Sequence, residues 1–202
     1  MRDKKRRSGI ESRLINGIVV FCIIIMPCIV NASEDFKHTV GLGIFAGKKI
    51  SDGMVWHVTD DLEWNYTAIH PSYGWLLGER WQVDLEGTLG IYNFRNGENI
   101  KEDTYSLGIS LMAGYDFLKH EKFSLYFDVG LGVGYWNFTP DNSVVDNHSV
   151  IGLIQYGAGI KIPVRKNYFI KTAYRVNHGS GIFSKDSGCN THGIFIGIVK
   201  KF

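Results

Sequence analysis

Beyond Val30 no stretch of the chain is apolar for anything near the ~18 residues that a helix needs to cross a bilayer. The body of the protein therefore holds no transmembrane helix. Cysteine is scarce: of three in 202 residues, Cys22 and Cys28 lie in the N-terminal apolar segment, which leaves Cys189 by itself. One thiol forms no internal disulfide, so a cystine-stapled scaffold is excluded. Basic charge is also short once the N-terminus is set aside. The first 32 residues hold six of the 22 Lys and Arg but two of the 20 Asp and Glu, leaving 16 basic against 18 acidic residues. A slightly acidic body implies no nucleic-acid partner. Metal-ligand spacing is missing as well, since His57, His70, His120 and His148 stand apart from one another and from any Cys pair.

The N-terminal segment has the three parts of a secretory signal. Arg2, Lys4, Lys5, Arg6, Arg7 and Arg13 precede an apolar run from Leu14 to Val30, which ends at Val30-Asn31-Ala32. Val at −3 and Ala at −1 suit signal peptidase. A retained membrane anchor is the alternative, as a run of about 17 residues is just long enough to span. The cleavage pattern and Pro27 inside the run favour removal, and Pro27 directly before Cys28 fits a lipoprotein site poorly. The expectation is a signal peptide over 1–32 and one exported domain over 33–202.

What that domain does have is glycine, aromatics and alternation. Its sequence contains Trp81-Gln82-Val83-Asp84-Leu85-Glu86-Gly87-Thr88-Leu89-Gly90-Ile91, apolar or Gly at odd positions and polar or small at even ones. That is the period of a strand with two different faces. The same pattern predicts strands near 38–49, 55–69, 81–95, 104–118, 123–137, 149–163, 167–178 and 191–202. At about 12–15 residues most are longer than strands of soluble sheets and long enough to cross a bilayer when tilted. Short connections (Leu77 to Arg80, Lys119 to Lys122, Val164 to Lys166) alternate with longer ones (Arg95 to Asp103, Phe138 to His148, Gly179 to Asn190). Short periplasmic turns and longer outer loops have that rhythm. The fold expected is all-β, an eight-stranded antiparallel transmembrane β-barrel.

Aromatics near strand ends suggest two interfacial girdles, Trp75, Trp81, Phe117, Phe123 and Tyr168 at one level and Trp56, Tyr92, Tyr105, Tyr135 and Trp136 at the other. Phe202, ending the final strand, resembles the assembly signal of outer-membrane barrels. An eight-stranded interior is filled by side chains. Asp84, Glu86, Asp128, Lys171 and Arg175 are therefore expected to form a structural charge network inside.

Chemistry is legible in one place. In Tyr174-Arg175-Val176-Asn177-His178-Gly179-Ser180 the imidazole and the hydroxyl stand two residues apart. On an extended strand they share a face, as a base and a nucleophile must. If Lys171, Ala173 and Arg175 point inward, His178 points outward. With both termini periplasmic, the seventh strand runs outward and carries His178 to the lipopolysaccharide leaflet.

This stretch, followed by Asp186-Ser187-Gly188-Cys189-Asn190 and a last strand, resembles the lipid A 3-O-deacylase family. Its members are eight-stranded outer-membrane barrels with His-x-Ser near the end of the penultimate strand. An Asn-x-Gly-x-Glu or Asn-x-Gly-x-Asn stands just before the last strand. The resemblance implies a serine esterase with no metal or cofactor, acting on the acyl ester at the 3-position of lipid A. Its partners would be lipopolysaccharide and the outer membrane; a homodimer is left open. By position His178 is the base, Ser180 the nucleophile and Asn190 the residue orienting His178. Gly188 matches the motif glycine. The chain departs from the pattern at Gly181, where the family has Asn, and at Asp186, which replaces Asn and is placed to supply charge. Asn190 is neutral where the best-known members have Glu.

Two other readings stand beside this one. A non-catalytic barrel, an adhesin or surface-binding protein, would be expected to carry long projecting loops, whereas the longest here is only about a dozen residues. An acyltransferase lacks any visible acyl-donor pocket. His192 has the outward parity of the last strand, within reach of His178.

Overall fold

The computed structural model describes residues 37–50, 63–96, 100–137, 149–181 and 189–202. The expected signal peptide, the start of the strand expected at 55, Trp56, His57, His148, Asp186 and Gly188 lie outside these residues. The chain forms eight strands: β1 (Lys37–Lys49), β2 (Glu63–Leu77), β3 (Trp81–Asn96), β4 (Ile100–His120), β5 (Phe123–Asn137), β6 (Ser149–Arg165), β7 (Tyr168–Gly181) and β8 (Cys189–Lys201). Each pairs antiparallel with the next, and β8 pairs with β1 to close the barrel. Closure leaves no sheet edge, so every strand finds backbone partners on both sides.

Alternation decides which side chains go where. On β1, Val40, Leu42 and Ile44 face outward and are 45–57% exposed, whereas Thr39 and Phe45 face inward at 1% or less. The outward positions of β8 are Ile194, Ile196 and Ile198. Leu85, Leu89, Leu107, Ile109 and Val133 continue the same exposed apolar wall. So much contiguous apolar surface is unsustainable in water, and it suits hydrocarbon.

The interior is the polar side. Arg175, fully buried, donates from Nη1 to Glu86 Oε1 and Oε2 at 2.8 and 3.1 Å, and from Nη2 to Asp128 Oδ2 at 2.9 Å. Lys171 Nζ lies 3.1 Å from Asp128 and 3.9 Å from Asp84. The network expected from alternation is thus present, and it is larger than expected. Lys161 pairs with Asp116 at 2.6 Å, Gln82 donates to Asp84 at 2.7 Å, and His70 Nδ1 sits 3.1 Å from Glu86. Gly157 makes room for it, since a Cβ there would meet Arg175 Cγ at 2.7 Å.

Two expectations are corrected. β2 runs Glu63–Leu77, not 55–69. Proline lacks an N–H and reads as a strand end. Here Pro71 sits mid-strand, where the ladder to β3 lapses between Ile69↔Leu89 and Ser72↔Glu86. The expected turn after Leu77 is present, with Gly78 at φ 67°, a left-handed conformation that glycine adopts without strain. Tyr92 and Trp136, expected in an outer girdle, are buried inside. Tyr92 stacks on Tyr66 at 4.1 Å and meets Trp136 at 5.2 Å, which plugs the loop end of the barrel. Aromatic residues near a strand end serve a girdle or a plug according to parity, and these two have inward parity. Tyr105, Tyr135, Trp81, Phe117 and Tyr168 do face outward.

A closed barrel of this kind is expected to give a β-rich circular-dichroism spectrum in detergent. It should also migrate faster on gels unheated than boiled, because opening it requires breaking a ladder on both sides of a strand. A helical spectrum would contradict the architecture.

Candidate active site on the outer wall

The site is built by the last two strands. β7 starts at Tyr168, and Lys171, Ala173, Arg175 and Asn177 are its buried inward residues, while Tyr174 on the alternate parity is 51% exposed. His178 follows in the outward set. It is ten residues from the start of the strand, at about 3.3 Å per residue near the far edge of a bilayer core crossed at a tilt.

Register brings its partner. His178 stands opposite Asn190 of β8 on one side and Ile154 of β6 on the other. His178 Nδ1 and Asn190 Oδ1 are 2.6 Å apart. An amide oxygen accepts, so this bond puts the imidazole proton on Nδ1 and a lone pair on Nε2. That is the tautomer a general base requires.

Outward parity does not leave this pair open. His178 and Asn190 are 5% and 6% exposed, whereas the outward positions Tyr174 and Ile194 are about half exposed. A polar pair shielded from water interacts more strongly than an exposed one. Ser180 lies two residues beyond His178 in β7, in register with Gly152, and Gly181 ends the strand opposite Ile151. His192 stands opposite Val176, diagonal to both Tyr174 and His178 on the outward face, and bonds through Nδ1 to the Tyr174 hydroxyl at 2.5 Å. That partnership was invisible in sequence because it runs diagonally between strands.

Inside the wall, behind His178, a small cavity is lined by Tyr92, Ser106, Trp136, Gln155 and Asn177. It is sized for water, not for an acyl chain, and His178 is among the residues that line it. Among the described residues no group of His, Cys, Asp and Glu is arranged to hold a metal ion.

The closed eight-stranded barrel with an apolar wall and a charged interior agrees with the sequence, of which residues 28–202 match the family model of the outer membrane protein β-barrel domain. The chain belongs to that family. It is a protein of the bacterial outer membrane, so the short-turn end of the barrel faces the periplasm and the long-loop end the outside. No curated protein matches the sequence. Among solved structures this outer-membrane barrel is similar to Neisserial surface protein A, with a TM-score of 0.59 and 17% identity over 84% of this chain and 100% of that one. It is similar to the outer membrane enzyme PagL, with a TM-score of 0.51 and 15% identity over 79% and 97%. It also resembles Ail, the attachment invasion locus protein of Yersinia pestis, in complex with the heparin analogue sucrose octasulfate. There the TM-score is 0.50 and the identity 20% over 84% and 100%. At these identities the likeness is one of fold. An outer-membrane barrel of this architecture serves enzymes and non-enzymes alike, so function is argued from the site.

Proposed function

We propose that the chain is an outer-membrane serine esterase that removes the 3-O-linked acyl chain from lipid A. The observation that carries this reading is the 2.6 Å bond from His178 to Asn190 on the outward parity of β7 and β8. In this reading His178 is the base and Asn190 its orienting residue, at the end of β7 and β8 that faces the lipopolysaccharide leaflet. Export by the segment 1–32, cleaved after Ala32, would deliver the protein there.

In this mechanism Ser180 Oγ attacks the ester carbonyl while His178 Nε2 takes the hydroxyl proton. The tetrahedral intermediate collapses, the bond from the carbonyl carbon to the sugar oxygen breaks, and His178 returns the proton to that oxygen. Water then attacks the acyl-serine with His178 again as base, releasing the fatty acid and restoring Ser180. Backbone N–H groups near Ser180 are the candidate oxyanion donors.

The test is mass spectrometry of lipid A from cells with and without the protein. The expected result is loss of one hydroxyacyl mass, with free fatty acid released. Asn190→Ala should lower the rate by about 10–100-fold, because His178 loses the bond that fixes its tautomer. Asn190→Glu should retain or raise the rate, since a carboxylate also stabilises the imidazolium. Equal rates for Asn190→Ala and wild type would remove Asn190 from the mechanism. Unaltered lipid A around a folded wild-type barrel would favour a non-catalytic surface-binding barrel, and Gly181, where the deacylase family has Asn, would be the departure responsible.

A further inference from the structure

The outward wall holds a second polar group that takes no part in this chemistry. Tyr174 Oη and His192 Nδ1 are hydrogen-bonded across β7 and β8, with the rings 5.7 Å apart at 68°. On its other side His192 is in register with Lys48 of β1, an exposed residue of the same outward parity as Leu42 and Ile44. Directly opposed residues on one face have Cβ atoms about 4.5–5.5 Å apart. Among the described residues no carboxylate pairs with Lys48.

Position gives the group its meaning. Below it, toward the periplasm, the outward faces of β1 and β8 are Val40, Leu42, Ile44, Ile194, Ile196 and Ile198, all exposed and apolar. Lys48 and His192 are the first polar outward residues above that band, and Asn190 lies two residues further along β8. An ammonium, an imidazole and a phenol thus converge at the lipid headgroup level, beside His178. When the Tyr174 hydroxyl donates to Nδ1, the His192 proton sits on Nε2 and makes it a donor. An imidazole N–H, held in place by Tyr174, beside an ammonium that pairs with no carboxylate among the described residues is the chemistry that recognises phosphate.

We infer that Lys48, His192 and Tyr174 form a binding site for the phosphate of an outer-leaflet lipid. For its role in presenting substrate the site rests on the esterase reading, since a phosphate held here would position the ester of the same lipid near His178. Binding itself is independent of turnover.

The experiment is native mass spectrometry of the folded full-length mature protein, carrying Ser180→Ala to prevent turnover, in micelles doped with one lipid at a time. The lipids are bisphosphorylated lipid A, the same lipid A stripped of phosphate, and phosphatidylglycerol. Phosphorylated lipid A is expected to be retained about tenfold better than the stripped form, a preference weakened by added salt. Lys48→Gln combined with His192→Asn should abolish that preference, Tyr174→Phe should reduce it by about threefold, and Lys48→Arg should keep it. Retention of phosphatidylglycerol with the same dependence on Lys48 and His192 would support the site and assign it to phospholipid. Equal retention of the stripped lipid, or a preference untouched by the double variant, would overturn it. Unheated gel migration checks folding, and Lys48→Gln alone decides the matter if the double variant does not fold. A wild type that binds phosphate through these residues yet never deacylates sinks the esterase reading only. One that deacylates without phosphate preference sinks this site only.

Discussion

Ser180→Ala is expected to abolish release of fatty acid from lipid A while leaving the barrel folded. In the proposed mechanism the covalent bond to the acyl group forms at Ser180 Oγ, the atom that alanine lacks. Removing the nucleophile of such a unit costs on the order of 10⁶-fold in related chemistry, so activity should fall below detection. His178→Asn should cost nearly as much, and the double variant little more than either single one, because nucleophile and base act as a unit. The substitution adds no volume near the end of β7, so heat-modifiable migration should be unchanged. The assay is purified protein on purified lipid A, read by mass. Activity persisting in Ser180→Ala would end the serine-esterase mechanism.

Arg175→Ala should produce the largest loss of stability. Its guanidinium is fully buried and spans two strands' acids, Glu86 on β3 and Asp128 on β5, with three hydrogen bonds between 2.8 and 3.1 Å. Its ring-facing side lies 4.0 Å from the centre of Phe195 on β8. Alanine removes the cation and leaves two buried carboxylates facing His70 and Lys171. Breaking a buried ion pair from one side costs about 3–5 kcal/mol, because the charge left behind is no longer compensated. The cavity left by the long side chain adds to this. The measurement is the urea midpoint for refolding into lipid, together with the temperature at which fast migration is lost. Arg175→Lys should fall between, since an ammonium keeps the charge but cannot fork to both acids. An unchanged midpoint in Arg175→Ala would show that the interior charges are independently solvated and not a network.

Both predictions began as sequence readings, and they differ in how far sequence carried them. The inward parity of Asp84, Glu86, Asp128, Lys171 and Arg175 follows from alternation within single strands. Nothing in that alternation says that Arg175 meets Glu86 and Asp128, or that Lys161, Asp116 and His70 join them. The positions of His178, Ser180 and Asn190 were singled out by a short motif. Asn190 lying opposite His178 is a matter of register, and so is the pairing of His192 with Tyr174. Lys48 carried no signal at all: it is one exposed lysine at the end of a strand until barrel closure sets it opposite His192, 144 residues away.

By itself the sequence determined the class of fold, the number of strands and the face on which each strand residue lies. A period of two is a local property, enforced by the geometry of an extended chain and by the sorting of apolar and polar side chains to opposite faces. The alternation alone misplaces β2, whose ladder lapses around Pro71, and proximity of Tyr92 and Trp136 to a strand end does not tell a girdle from a plug, which inward parity decides. Tertiary structure alone decided who meets whom. Closing eight strands into one barrel sets every register together, since a slip in any ladder would have to propagate around the ring and turn buried charges out into lipid. That constraint, which no segment of the chain contains, puts Asn190 against His178, Lys48 against His192, and Arg175 between two carboxylates.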